Sequence, residues 1–188
     1  MKKIILTLVA SLALVSAAQA EPTASIIYGS QKDNTTHALS DVIIYDLKTN
    51  VYKYTDVDLQ INNRTAVGTN LVTNRVEPGI TVTYPILDMI SVYIRPSVGI
   101  RQKSGTESFY YYTSEQGIKM YLPYNVSATV GYYYRDSFDP VNHDQLGTMR
   151  YYLGYNVTET TKISVGIFRD TSGYNQATTN WIGLSHNF

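Results

Sequence analysis

The chain has 188 residues, no Cys, 15 basic and 15 acidic side chains, and 18 Tyr against 4 Phe and 1 Trp. A chain without Cys is neither a disulfide-stapled mini-domain nor a thiolate-ligated zinc module, and the balanced charge argues against a nucleic-acid-binding tail. Charged residues are 16% of the total, below the roughly 25% of soluble domains, and the aromatic load is almost wholly of the kind with an apolar body and a polar tip.

Met1-Lys2-Lys3 is a short basic start, an apolar run follows over residues 4–15, and Ala18-Gln19-Ala20 has the small-x-small spacing of a signal-peptidase site. Residues 1–20 therefore read as a cleaved signal peptide and residues 21–188 as a single domain. Loss of Lys2 and Lys3 leaves 13 basic against 15 acidic residues, which suggests neither nucleic acid nor an anionic surface as partner.

After Ala20 the longest unbroken apolar runs are four residues, at 42–45 and 109–112, far short of the about 20 that a spanning helix needs. Period-two alternation recurs instead, in segments of about ten residues. It is blurred before Asn62, where Val42-Ile43-Ile44-Tyr45 and Lys53 do not sort onto one face. Further on, Val76, Pro78, Ile80 and Val82 alternate with Arg75, Glu77, Gly79, Thr81 and Thr83. Then Val92, Ile94, Pro96, Val98 and Ile100 alternate with Tyr93, Arg95, Ser97, Gly99 and Arg101.

Short turns are expected at residues 48–50, 85–89, 122–125 and 157–161, and longer polar connections at 32–36, 62–70, 103–107, 137–144 and 171–177. Nine alternating connections join ten strands, an even number with both termini on the short-turn side. Eight strands would also fit, given the blurred start. Tyrosines gather toward predicted strand ends, at Tyr84, Tyr110, Tyr112, Tyr121, Tyr124, Tyr132, Tyr134, Tyr151 and Tyr155, as in interfacial aromatic girdles. Together these features predict an all-β fold, a transmembrane antiparallel up-and-down β-barrel. Pro78 and Pro96 lack ladder donors, and a bulge or open ladder turned to lipid is expected where they meet.

The closing stretch Trp181-Ile182-Gly183-Leu184-Ser185-His186-Asn187-Phe188 places Gly183 five residues before a terminal Phe188. It resembles the C-terminal strand signal of Gram-negative outer-membrane β-barrels, departing from it at His186 and Trp181. Phrases such as Thr73-Asn74-Arg75-Val76-Glu77-Pro78-Gly79 and Gly131-Tyr132-Tyr133-Tyr134-Arg135-Asp136-Ser137-Phe138 are similar to strands of small porin-like members. The resemblance implies an outer-membrane location, Gly183 and Phe188 as an assembly signal for the barrel-assembly machinery, and outer-membrane lipids as surroundings. A monomer is expected.

With the apolar positions facing lipid, Arg75, Glu77, Arg95, Glu115, Arg135 and Arg150 form a lumen charge belt near mid-membrane, with Arg101 and Lys119 on the same inward face. Two readings stand beside each other. In one, the carboxylates neutralise the guanidinium groups and fill a narrow interior. In the other, excess positive charge favours small anions, an excess that Asp56 and Asp58 could cancel. Inward glycines at 79, 99, 117, 131, 154, 166 and 183 leave gaps over which Tyr93, Tyr133 and Tyr152 could lie.

The expected function is that of a small porin-like passive channel for small polar or anionic solutes. Its alternatives are a closed structural or surface-interaction barrel and, much further off, an outer-membrane enzyme. No enzyme, cofactor or metal is expected. Asp136, Asp139, His143 and Asp144 form the one loop set with an acid close to an imidazole, and sequence adjacency does not make a general base of it.

Overall fold

The structure, a computed structural model, describes residues 22–69, 71–139, 144–172 and 176–188. The expected signal segment and His143 lie outside them. Ten strands follow one another: β1 (Thr23–Asp33), β2 (Leu39–Tyr52), β3 (Thr55–Ala66), β4 (Val72–Leu87), β5 (Ile90–Lys103), β6 (Phe109–Leu122), β7 (Val126–Ser137), β8 (Leu146–Asn156), β9 (Thr161–Ser172) and β10 (Ala177–Asn187). Each pairs antiparallel with its sequence neighbours, and β1 pairs with β10 from Thr23↔Asn187 to Asp33↔Ala177, closing the sheet into a barrel. Closure leaves no open sheet edge, so the strand backbone finds its hydrogen-bond partners within the sheet, which a hydrocarbon surrounding demands. The terminal Phe188 is tied in as well, its amide donating to the Pro22 carbonyl at 3.0 Å.

The side-chain alternation is inverted relative to a soluble sheet. Along β5, Ile94 and Val98 are 49% and 53% exposed while Arg95 between them is 4% exposed. On β4, Ile80 is exposed and Glu77 is buried. Exposed apolar residues continue around the wall at Ile118, Leu153, Val165, Ile182 and Leu184. An apolar exterior over a polar interior is the arrangement of a membrane barrel.

Tyr52, Tyr54, Tyr84, Tyr121, Tyr124 and Tyr155 stand exposed at the short-turn end, where Tyr54 and Tyr84 meet edge to face at 5.6 Å. Tyr110, Tyr112 and Phe138 mark the other end, with Tyr112 5.2 Å from Phe138. Tyr132 and Tyr151 lie in mid-strand rather than at an end.

Two local expectations are corrected and a third is met in one of its two forms. The first short turn falls at residues 53–54, not 48–50, because Asn50 and Lys48 belong to the ladder: Asn50 Nδ2 donates to the Asp56 carboxylate at 2.9 Å and Lys48 pairs with Asp56 at 2.5 Å. The polar run from Asn62 is also strand, with Asn63 donating to Asn74 Oδ1 at 2.7 Å across the β3–β4 pair. Pro78 and Pro96 lie near each other, offset by two residues, and of the two expected outcomes the open ladder is found rather than a bulge. One register runs through Val76↔Ile100, Gly79↔Ser97 and Val82↔Ile94, and the ladder is open at the intervening steps that contain the prolines.

Placing a charge on the outer wall tests this orientation. Val98→Arg, in mid-strand, should cost about 2–4 kcal/mol of folding free energy into lipid vesicles, and Leu87→Arg at the short-turn rim at most about 1 kcal/mol. Urea titration of vesicle-embedded protein measures both, and equal costs would contradict a lipid-facing wall.

Candidate functional site

The inward rows of β3 to β7 converge on Glu77. Its Oε1 accepts from Arg95 Nη1 at 2.5 Å and from Ser97 Oγ at 2.8 Å, and its Oε2 accepts from the Tyr111 and Tyr133 hydroxyls at 3.1 and 3.2 Å. Arg95 also reaches Asp58 on β3, through Nε at 2.8 Å and Nη2 at 2.5 Å, and Asp58 accepts from Thr81 at 3.0 Å. One guanidinium thus lies between two carboxylates, and five strands meet in one network. Charge-assisted bonds of this kind are about twice as strong as neutral ones, and inside a low-dielectric wall each needs the other.

The network needs close approach. A Cβ at Gly79 would sit 2.9 Å from Arg95 Nη2, so only glycine leaves the guanidinium room to lie flat on β4. Tyr111, wholly buried, occupies the space over Gly99 in the same way. Tyr93 lies over Gly117 and Gly131. Tyr133 and Tyr152 do other work: the Arg150 guanidinium stacks 3.9 Å from the Tyr133 ring, and Tyr152 joins Phe168 and Trp181 in an edge-to-face cluster with centroids 5.2 to 5.5 Å apart. Trp181, not Tyr133 or Tyr152, covers Gly166.

All six belt residues named from the sequence face the interior, but the structure divides them by partner. Glu77 pairs with Arg95, and Glu115 accepts from Arg150 Nη1 at 2.5 Å and from the Tyr93 hydroxyl at 2.8 Å. Arg135 lies 2.8 Å from Asp144, which also takes Arg101 Nη1 at 2.7 Å. Arg75 has no carboxylate partner among the described residues, and it stands opposite Arg101 in the β4–β5 pairing. Lys119, also inward, lies over the Tyr121 ring at 5.0 Å. Asp56, the other acid weighed against the arginines, is held by Lys48 instead.

Sequence reasoning missed Arg64, Asp46, Asp170 and Lys162 as inward-facing residues. Asp170 accepts from Thr148 Oγ1 at 2.8 Å and from the Ala177 amide at 3.1 Å, and Lys162 donates to Ser127 at 2.8 Å. The register of β2 against β3, which pairs Val42 with Arg64 and Asp46 with Gln60, would have found Arg64 and Asp46 had the first turn been placed correctly. The same register turns Val42 and Ile44 inward, resolving the ambiguous run at 42–45.

Above the Glu77 network, toward the long connections, lies a cavity of about 310 Å³. Five guanidinium groups line it, from Arg64, Arg75, Arg101, Arg135 and Arg150, against three carboxylates, from Glu77, Asp144 and Asp170. Ile27, Val42, Ile44 and Phe168 line it as well, beside Gln31 and Thr179, with the Arg150 guanidinium 4.8 Å from the Phe168 ring. Of the acid and imidazole loop set, Asp144 is turned into this cavity and committed to two arginines. His37 sits in an exposed connection, and His186 contacts Thr161 Oγ1 at 3.0 Å near the short-turn end. Gly183 faces inward on β10, and Phe188 is exposed with its ring 4.9 Å from His186.

Removing one member of the buried hub should expose the difference between paired and unpaired charge. Glu77→Ala leaves Arg95 and two tyrosine hydroxyls short of a partner and should cost about 3–5 kcal/mol, whereas Arg75→Ala, which breaks no ion pair, should cost less than about 1 kcal/mol. Unfolding in urea, followed by heat-modifiable electrophoretic mobility, distinguishes them.

No protein-family model matches the chain, and no curated protein matches it in sequence. Several solved structures match its fold. An outer-membrane channel from Pseudomonas putida F1 superposes with a TM-score of 0.59 at 9% identity, over 90% of this chain and 96% of that one. The NanC porin superposes with a TM-score of 0.54 at 10% identity, over 88% and 100%. A bacterial polysaccharide outer-membrane secretin gives 0.52 at 7% identity, over 88% of this chain and 65% of that one. The chain has the closed antiparallel fold of the outer-membrane β-barrels, in a ten-stranded form.

Proposed function

We propose that this barrel resides in the outer membrane of a Gram-negative-type cell and acts as a narrow, porin-like passive channel for small polar solutes, anions above all. The observation that carries this reading is the surplus of guanidinium over carboxylate around the 310 Å³ cavity. Glu77 and Arg150 are already engaged with Arg95 and Glu115. Of the remaining arginines, Arg101 and Arg135 share Asp144, and Arg64 and Arg75 make no ion pair among the described residues; a surplus of fixed positive charge in a low-dielectric channel raises the local concentration of anions. The partners under this reading are outer-membrane lipids and, during assembly, the machinery that would read Gly183 and Phe188. The protein works as a monomer and not as an enzyme: Asp144, the acid nearest His143 in the chain, is held by Arg101 and Arg135.

The closed-barrel alternative draws on one specific observation, the burial of Arg95, Glu77, Tyr111 and Tyr133 across the middle of the lumen. Planar-bilayer recording separates the two. The channel reading expects a small current whose reversal potential under a salt gradient has the anion-selective sign. Arg135→Ala should move that potential toward zero, and Arg95→Ala, which removes the side chain linking Asp58 to Glu77, should raise the conductance. Folded protein that carries no resolvable current would overturn the channel and leave the closed barrel.

A further inference from the structure

The cavity above Glu77 has an apolar patch from Ile27 on β1 and Val42 and Ile44 on β2, and its arginines come from β3, β4, β5, β7 and β8. Phe168 on β9 also lines it, with the Arg150 guanidinium 4.8 Å from its ring. The arginine side is also donor-rich. Among the described residues, Arg75 Nε, Arg101 Nε, Arg150 Nε, and both Nε and Nη1 of Arg135 are buried without a hydrogen-bond acceptor, as are the acceptors Gln31 Oε1 and Asp144 Oδ2 without a donor; Arg135 is only 3% exposed and its Nε lies 2.8 Å from Asp144. That contact is an ion pair without hydrogen-bond alignment. Arg75 and Arg101 stand directly opposite each other in the ladder, a like-charge placement that destabilises a sheet unless counter-charge sits between the two. Five guanidinium groups thus bring net positive charge to one space, four of them with an unpartnered N–H, and Ile27, Val42 and Ile44 also line that space.

We propose that the cavity binds a small organic monocarboxylate, its carboxylate bridging Arg75, Arg101 and Arg135 and its apolar body resting on Ile27, Val42, Ile44 and Phe168. The planar fork of a guanidinium matches the two oxygens of a carboxylate, which a spherical halide does not offer. The apolar wall rewards a ligand with a hydrocarbon body, which sulfate and phosphate lack. Size sets the upper bound: the volume is that of about ten waters at ~30 Å³ each, enough for a carboxylate with a body of roughly four to seven carbons. Gln145, exposed at the end of the β7–β8 connection, is also part of the lining, which places the site within reach of the long-connection side. The inference rests on the reading of this lumen as an anion path and names the class of anion.

Calorimetric titration of the folded full chain in detergent, with sodium benzoate as the probe and benzamide, acetate and chloride for comparison, tests it. Benzoate should bind saturably, benzamide at least about tenfold more weakly because it lacks the charge, and acetate more weakly because it lacks the ring; equimolar chloride should not displace benzoate. Arg75→Gln should weaken benzoate about tenfold or more while raising the midpoint of thermal unfolding at low salt, since it removes a like-charge neighbour of Arg101. Arg75→Lys, which keeps the charge and loses the fork, should fall between the two. Ile44→Asn should weaken benzoate and leave acetate unchanged.

The site is overturned if benzoate and benzamide bind alike, if chloride displaces benzoate one for one, or if folded Arg75→Gln and Arg75→Lys both bind benzoate as the parent does. Saturable benzoate binding in a barrel that carries no bilayer current would instead overturn the channel and keep the site. Current with no benzoate binding would keep the channel and overturn the site.

Discussion

A charge inside a closed cylinder in hydrocarbon has few partners to choose from, and most features of this molecule follow from that constraint. The backbone satisfies itself by closing β1 onto β10, and closure sends one side of every strand inward. In a ten-stranded barrel that inward space is too narrow for free solvent around every side chain and too wide for small residues to fill. Long side chains must therefore cross it and find counter-charges on other strands. Arg95 does so between Asp58 and Glu77, and Arg150 does so with Glu115. Gly79 is what lets Arg95 lie flat against the wall. The ion pairs thus act as cross-struts, and the tyrosine hydroxyls on Glu77 extend them around the barrel.

The struts do not use all the charge. Toward the long connections the arginines exceed the carboxylates, and Asp144, brought in by the connection before β8, is shared between Arg101 and Arg135. Beneath, the cluster of Tyr152, Phe168 and Trp181 packs against β8, β9 and β10. The interior therefore has an ion-paired waist, in which Arg95 and Arg150 meet Asp58, Glu77 and Glu115, and an arginine-rich upper chamber. Under the proposed channel function, a waist of paired charge would resist solutes of either sign and a positive chamber would concentrate anions before they reach it, so that selectivity and low conductance would follow from one distribution of side chains.

Where the alternation is strict, the sequence was enough to place each residue. Along 75–83 and 91–101 every second residue is apolar, and a period of two leaves only the choice of which face meets lipid; the tyrosines at Tyr84, Tyr110, Tyr112 and Tyr121 settle that choice, because their polar tips want the interface. Where the inward face is itself apolar, as at Val42 and Ile44, the pattern loses contrast, and Lys48-Thr49-Asn50 then imitates a turn. Only the pairing with Asp56 and Asp58 shows these residues to be strand.

The sequence by itself determined the period, the membrane-facing side and the inward direction of Arg75, Glu77, Arg95, Glu115, Arg135 and Arg150, because all of these depend on local alternation and on turn spacing; it left eight strands open beside ten, and the pairing of β2 with β1 and β3 decided for ten. Only the tertiary structure decided which charges neutralise one another. Arg95 and Asp58 are 37 residues apart in sequence and Arg101 and Asp144 are 43 apart, and their meeting depends on the stagger between strands and on side chains reaching across the barrel axis. Neither is a property of any short stretch of chain.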